Sequence, residues 1–197
     1  MADHLKEIEE TIRRRFARLA EAPEEEQLFP TGPDSAERLG YPAHEVHSLP
    51  ASVTESFAGV GNPFIPGWPR EGEVVLDVGC GAGMDALLAA RRVGSKGKVI
   101  GVDFVTEMIA RAEWNAAAVG ASNVHFMPGR ADELPLEGGS VDMVFTNGVF
   151  NLCTDKPAVV SEMYRVLRPG GRLQMADILL EAHVTPEELI GKGTWDG

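Results

Sequence analysis

The chain has few cysteines, no long apolar run and a deficit of basic residues, and each shortage argues against a class of protein. Two cysteines among 197 residues are too few for the disulfide framework of a small secreted domain. No apolar run approaches the ~20 residues that a membrane-spanning helix needs. Lys and Arg number 18 against 30 Asp and Glu, and the net charge of −12 repels nucleic acid and anionic membranes. We therefore expect a cytoplasmic protein that binds neither nucleic acid nor membrane.

An alternating pattern occupies the chain from residue 73 onward. Runs rich in Val, Ile and Leu alternate with helical patterns, which predicts a parallel sheet flanked by helices. The predicted strands cover residues 73–78, 98–103, 124–127, 141–146 and 172–178. The predicted helices cover residues 84–93, 106–120 and 156–167. Thr106 is predicted to cap the second helix, and Pro169, Gly170 and Gly171 to end the third.

The residues before the sheet differ in character, which divides the chain into an N-terminal helical and lid segment, 1–70, and a core, 71–197. The segment is expected to contain an amphipathic helix at 4–21, a short helix at 35–39 and no regular element over 48–68. Such an addition is expected to lie over the ligand cleft, with a surface cap as the alternative.

The end of the chain leaves little room after the fifth strand. Residues 181–197 suffice for one helix, around 185–190, and not for two further strands. A sheet that stops at its fifth strand has an open edge, which proteins normally pair or cover. We therefore expect either a fragment of a longer protein or self-association at that edge.

The stretch 77–83, Asp-Val-Gly-Cys-Gly-Ala-Gly, carries the most specific signal, because it joins a predicted strand to a predicted helix. Its alternate glycines let the backbone turn tightly and approach a ligand closely. The next strand ends in Asp103, whose carboxylate can accept both hydroxyls of a ribose. Asp77 argues against a dinucleotide and suits the ammonium of S-adenosylmethionine, so the pattern predicts a methyltransferase. The cofactor-binding residues predicted from it are Asp77, Gly79, Cys80, Gly81, Gly83 and Asp103, with Cys80 expected to pack as a small side chain.

With residues 128–136 and 167–171, this pattern resembles the class I S-adenosylmethionine methyltransferases over residues 73–180. The resemblance implies an α/β, Rossmann-like doubly wound sheet of mainly parallel strands in the order 3-2-1-4-5, here without strands 6 and 7. It implies S-adenosylmethionine as cofactor and S-adenosylhomocysteine as product. It places Phe104 on the adenine face, with core packing as the alternative. It places Ala131 and Asp132 at the adenine edge, with a helix-turn cap as the alternative for Asp132.

Asn147 ends the fourth strand, beside the first, at the crevice where open α/β sheets bind ligands. We expect it to hold the methionine end of the cofactor or the substrate. Residues 39–42, 59–63 and 146–156 further resemble the arsenite methyltransferase branch. Those enzymes carry cysteines where this chain has Val60 and Gly148. Trivalent arsenic is held by thiolates, and one thiol alone binds it weakly, so the resemblance implies fold and cofactor more strongly than an arsenic substrate.

The candidate substrate residues are Asn62, Gly148, Asn151 and Cys153. A turn role is the alternative for Asn151, and a buried loop cysteine is the alternative for Cys153. No metal site is expected, because His44 and His47 have no third ligand near them in the sequence.

Methyl transfer from a sulfonium depends mainly on alignment, so no catalytic triad is expected and no catalytic residue is assigned. The expected function is a methyltransferase for a small molecule, related to the arsenite enzymes. The alternatives are another small acceptor, or a cofactor-binding protein without turnover.

Overall fold

The computed structural model describes residues 2–26 and 29–179, and its centre is one sheet of five parallel strands. The strands are β1 (Val74–Val78), β2 (Lys98–Asp103), β3 (Val124–Pro128), β4 (Val141–Asn147) and β5 (Leu167–Ala176). They lie in the order β3-β2-β1-β4-β5, and every neighbouring pair is parallel. The predicted fold class and strand order are confirmed. The helix expected around 185–190 lies outside the described residues.

Seven helices are found in the described residues, and three of them connect strands. The helices are α1 (Ala2–Glu21), α2 (Gly32–Arg38), α3 (Ala43–Val46), α4 (Ala51–Thr54), α5 (Met84–Val93), α6 (Thr106–Ala118) and α7 (Lys156–Val166). Single 3-10 turns lie at Pro23–Glu25, Gly94–Lys96 and Phe150–Leu152. Within this part of the chain, no helix combines the length and the apolar character that a membrane span requires.

Helices cover both faces of the sheet, which explains why its central strands are almost continuously apolar. On one face, α5 and α6 pack over Val75 and Phe145. On the other face, α7 packs over Leu76 and Val144. Side chains alternate between faces along a strand, so each central strand contributes to both halves of the core.

The N-terminal segment is part of the same core. Helix α1 packs on α6 and buries Leu19 against Val105 and Met108. The residues between α2 and β1 place Tyr41 and Phe57 in the cluster that covers Val75. The amphipathic helix predicted at 4–21 is present as α1.

Helices α2 and α4 depart from the predicted bounds. Helix α2 begins three residues before the predicted 35–39, because Pro33 occupies its first turn, where a missing N–H costs nothing. Helix α4 is a single turn inside 48–68, a stretch that was expected to have no regular element.

The start of β5 is the largest error in the predicted elements. Pro169, Gly170 and Gly171 were expected to separate the helix from a strand at 172–178, but α7 passes at Leu167 directly into β5. Leu167 pairs with Val141, and the register then slips so that Arg172 pairs with Met143. Proline and glycine are tolerated here because β5 is the outer strand of the described sheet and the ladder is irregular.

The start of α6 differs in its cap. Thr106 was expected to cap the helix, but it is the first helical residue and Val105 takes the cap position. The Thr106 hydroxyl donates to the Glu107 carboxylate at 3.1 Å instead. The Val105 amide donates to Asp103 Oδ1 at 2.9 Å, so the end of β2 holds the entry to the helix.

Candidate active site

A cavity opens at the carboxyl ends of β1, β2 and β4, where the strand order reverses between β1 and β4. It brings together most of the site residues predicted from the sequence. The predicted residues that line it are Asp77, Gly79, Cys80, Gly81, Asp103, Phe104, Ala131, Asp132, Asn147, Gly148 and Cys153. Gly83, Asn62 and Asn151 lie outside its lining.

The loop from β1 to α5 presents its backbone to the cavity. All three of its alternate glycines have φ between 51° and 90°, the left-handed region that favours glycine. A Cβ on Gly79 would overlap the Val149 side chain. The amides of Gly79 and Cys80 donate to the Val102 carbonyl at 2.7 and 3.1 Å, which ties the loop to β2. Gly83 takes the cap position of α5, so its role is in the turn.

Asp103 is fixed at the end of β2 by two backbone amides. Its Oδ2 accepts from Gly81 at 2.9 Å and its Oδ1 accepts from Val105 at 2.9 Å. Burial raises the pKa of this carboxyl group, and the backbone hydrogen bonds oppose that effect. A carboxylate oxygen can accept more than one hydrogen bond, so this carboxyl group can also accept from a ribose hydroxyl. The neighbouring Phe104 ring is 36% exposed, which leaves it available for stacking.

Asp77 is the most deeply placed carboxyl group of the cavity. It is 2% exposed, and its Oδ2 has no hydrogen-bond partner in the described part of the chain. Burial raises its pKa well above the ordinary range, and the carboxyl groups of Asp85 and Asp103 raise it further. A buried carboxylate oxygen without a partner is costly, so this atom points to a cationic ligand.

The Asp132 side chain is held by Arg130. The guanidinium donates to both carboxylate oxygens, at 2.8 and 2.9 Å, and it also donates twice to Glu9 of α1, at 3.0 and 2.9 Å. Arg130 therefore joins α1 to the rim of the cavity. Sequence reasoning missed Glu9 and Arg130, and the one available signal was the place of Arg130 within the stretch 128–136.

Asn147 connects β4 to residues 60 and 61 of the N-terminal segment. Its Oδ1 accepts from the amides of Val60 and Gly61 at 2.9 and 3.2 Å. Its Nδ2 donates to the Gly61 carbonyl at 2.9 Å and lies 3.1 Å from both the Tyr41 hydroxyl and Asp85 Oδ2. Asn147 lines the cavity, and its side-chain amide is committed to protein partners.

Tyr41 and Asp85 form a buried pair that sequence reasoning missed. The Tyr41 hydroxyl donates to Asp85 Oδ1 at 2.6 Å. Burial raises the pKa of Asp85 to about 6, against the effect of the hydrogen bonds from Tyr41 and Asn147. Asp85 is the one polar residue in the run 84–90, and that position in an apolar helical run was the available signal.

Val60 and Gly148, the positions at which the sequence resemblance places cysteines of the arsenite branch, lie side by side. A Cβ on Gly148 would lie 3.2 Å from Val60 Cγ1, and Gly148 has a φ of 72°. Valine and glycine therefore meet where two thiols would face each other.

The Asn62 side chain and the Asn151 backbone form hydrogen bonds with residues that do not line the cavity. Asn62 donates to the Gly40 carbonyl at 3.0 Å and accepts from the Phe64 amide at 2.9 Å. The backbone N–H of Asn151 donates to the Asp177 carboxylate at 3.2 Å, in the 3-10 turn after β4. The contacts of the Asn62 side chain hold it outside the cavity lining.

Cys153 lines the cavity and is partly buried. Its Sγ donates to the Val149 carbonyl at 3.4 Å. Burial raises its pKa from 9.0 to about 11.

We expect alkylation of Cys153 by iodoacetamide at pH 8 to be about a hundredfold slower than for an ordinary thiol, because the thiolate is the form that reacts. The rate should rise about tenfold per pH unit up to pH ~11. Mass spectrometry separates its peptide from that of buried Cys80, and a rate that levels off near pH 9 would contradict the expected burial.

Residues 69–196 match a protein family described as the methyltransferase domain. The chain belongs to this family. Within the methyltransferase domain lie all five strands, the glycine loop, Asp103 and Asn147. Glu9, Phe57 and Gly59 precede the matched residues and line the cavity from outside them.

Individual relatives agree with the resemblance drawn from the sequence. An arsenite methyltransferase of Halobacterium salinarum is 42% identical over 167 residues, which cover 82% of this chain and 42% of that protein. The structure of an arsenic(III) S-adenosylmethionine methyltransferase from Chlamydomonas reinhardtii is 36% identical, with a TM-score of 0.57, covering 76% of this chain and 50% of that one. A SAM-dependent methyltransferase from Aquifex aeolicus is 31% identical, with a TM-score of 0.54, covering 60% of this chain and 65% of that one. This methyltransferase domain thus spans about two fifths, 42%, of the length of its Halobacterium relative.

Proposed function

We propose that this methyltransferase domain binds S-adenosylmethionine and transfers its methyl group to a small-molecule acceptor, leaving S-adenosylhomocysteine. One observation carries the proposal. The glycine loop is flanked by Asp103, whose carboxylate is held by two amides, and by Asp77, whose Oδ2 has no partner in the described residues. The first suits a ribose and the second suits an ammonium, and the two belong to the same ligand.

The adenosine end would lie beyond β2 and β3. Asp103 would accept the ribose hydroxyls, and Phe104 would stack on the adenine. Ala131 and Asp132 line the cavity after β3, where the adenine edge is expected. The Arg130 guanidinium holds the Asp132 carboxylate in a fixed orientation, and each carboxylate oxygen can still accept a further hydrogen bond.

The charge of the cavity supports a cationic ligand. Five acidic residues line it among the described residues, against a single base, Arg130, which is bonded to two of the five. S-adenosylmethionine carries a sulfonium and an ammonium, and both are attracted to such a surface. Asp77 is the group proposed to receive the ammonium.

Bound S-adenosylmethionine supplies a methyl group that an acceptor lone pair can take directly from the sulfonium. The protein then has to position the reactants and exclude water, for which Val149 and Leu152 provide apolar walls. A hydroxyl or amine acceptor would need a base. Asp155, which follows β4, accepts the Ala158 amide at 3.0 Å as the cap of α7. We therefore assign no catalytic base.

The acceptor side favours a second candidate function, methylation of a small acceptor other than arsenite. Val60 and Gly148 occupy the positions of two cysteines in the arsenite branch and fill them with apolar contact. Cys80 and Cys153 are the thiols on the described cavity wall, and burial raises the pKa of both. A protein that binds the cofactor without turnover is the third hypothesis.

Transfer of a labelled methyl group to arsenite in excess thiol tests the proposal, with protein already shown by calorimetry to bind S-adenosylmethionine. Methylated arsenic would establish the arsenite function and show that Cys153 or the added thiol supplies the ligands. Firm cofactor binding without product would favour another acceptor. If arsenic is methylated, the variant Cys153→Ser tests whether that thiol is one of the arsenic ligands. A chain that does not bind the cofactor would overturn the proposal. Self-association along β5 remains a prediction that sedimentation measures.

A further inference from the structure

Asp85 is a second buried carboxyl group on the cavity that Asp77 lines. It is the second residue of α5 and is 7% exposed. Tyr41, from the segment between α2 and α3, donates to one of its oxygens, and Asn147 of β4 donates to the other, at 2.6 and 3.1 Å. Both donors are neutral, so they orient the carboxyl group without balancing its charge.

The groups that face Asp77 are also acidic or neutral. Asp85 faces it from α5, and Asp103 faces it from β2. The Cys80 thiol lies near the carboxyl groups of Asp103 and Asp77. Arg130, the base on the described cavity wall, is engaged by Glu9 and Asp132. Two like-charged groups in a buried site do not both ionise readily, and they titrate as a pair.

The Oδ2 atom of Asp77 is buried and has no hydrogen-bond partner among the described residues, so it can accept a hydrogen bond from a ligand. A metal ion is a poor match, because the described residues contain no group of three or more His, Cys, Asp or Glu side chains that could hold one. An ammonium is a compact cation with three hydrogen-bond donors, and two carboxyl groups can receive it. The amino acid end of the proposed cofactor carries such a group.

We propose that Asp77 and Asp85 together form the receptor for the ammonium of S-adenosylmethionine, and that ligand binding displaces one proton that this pair of carboxyl groups holds. The inference rests on the proposed function and adds Asp85 and the proton to it. In the free protein, burial raises the pKa of Asp85 to about 6 and that of Asp77 further above its ordinary range. An incoming cation lowers both pKa values, so this proton leaves to the buffer.

Calorimetry with S-adenosylhomocysteine measures that proton. This product keeps the ammonium and is stable, and titrations at pH 7 in two buffers of different ionisation enthalpy give the number of protons released. We expect close to one proton per bound ligand, falling toward zero as the pH is raised, since the pair is then already ionised. 5′-Methylthioadenosine, which keeps the adenosine but lacks the amino acid end, should bind without proton release.

Asp85→Asn tests the pair within the protein. We expect it to weaken S-adenosylhomocysteine binding at least tenfold and to change methylthioadenosine binding less than twofold. Asp142→Asn is the matched control, because Asp142 is equally buried but lies at the opposite end of β4. It should leave the ratio of the two affinities unchanged. A structural defect in Asp85→Asn would weaken both ligands together.

The outcomes separate the inference from the proposed function. Binding of S-adenosylhomocysteine without proton release, or equal release with both ligands, overturns the receptor while leaving the cofactor in place. An unchanged affinity ratio in Asp85→Asn removes Asp85 from the receptor. If neither ligand binds, the proposed function itself fails, and the receptor fails with it.

Discussion

Asp103→Ala is expected to weaken S-adenosylhomocysteine binding about a hundredfold. The carboxylate at the end of β2 is proposed to accept two ribose hydroxyls, and a hydrogen bond to a charged group contributes about 1.5–3 kcal/mol. A loss of about 2.7 kcal/mol corresponds to two decades in Kd. The same change removes the acceptor of the Gly81 and Val105 amides, so part of the loss comes from the glycine loop. Calorimetry measures the affinity, and thermal unfolding shows whether the variant remains folded.

A ligand lacking one ribose hydroxyl separates these two contributions. The 2′-deoxy analogue of S-adenosylhomocysteine should bind the wild type more weakly than the parent ligand, because one acceptor site of Asp103 is then unused. Asp103→Ala should bind the two ligands equally, which closes a double-mutant cycle between side chain and hydroxyl. Asp142→Asn, at the far end of the sheet, should discriminate as the wild type does. Equal discrimination in all three proteins would contradict the ribose assignment.

The elements that were predicted most accurately are those whose burial can be inferred from a short stretch of the sequence. Strand β2 has the predicted bounds and β1 starts one residue later than predicted, because strands covered on both faces read as apolar runs. The end of α7 and the start of β5 were placed wrongly. Pro169 and Gly170 predicted the end of the helix and a loop before the strand. Only the pairing of Leu167 with Val141 shows that the strand has already begun at Leu167.

The site likewise contains residues whose spacing in the sequence is informative and contacts between distant residues that the sequence does not predict. The glycine loop and Asp103 lie 20 to 26 residues apart in the sequence, and their spacing is informative because one strand–helix–strand unit sets it. The contacts that sequence reasoning missed bridge 106 residues between Tyr41 and Asn147 and 121 residues between Glu9 and Arg130. No periodicity predicts such contacts, since they depend on how the N-terminal segment lies on the sheet. Asn147 was therefore predicted from the sequence, while its partners in the N-terminal segment were not.

The double variant Val60→Cys, Gly148→Cys is expected to bind arsenite at least a hundredfold more tightly than the wild type. Trivalent arsenic prefers thiolate ligands, and two of them on adjacent positions can share one arsenic. A Cβ on Gly148 would lie 3.2 Å from Val60 Cγ1, so the two new side chains would face each other. Arsenic retained after gel filtration in a non-thiol reductant measures the binding.

The single variants should fall far short of the double variant, which makes the effect non-additive. Gly148→Cys alone places a Cβ against the Val60 methyl groups in a backbone with a φ of 72°, a conformation that costs an L-residue about 1 kcal/mol. Val60→Cys alone removes that crowding but offers one thiol. Additive gains, or a double variant that binds no better than Val60→Cys, would mean that the two positions do not form one site. A gain specific to the pair would show that this domain keeps the geometry of an arsenic site and lacks only its sulfur atoms.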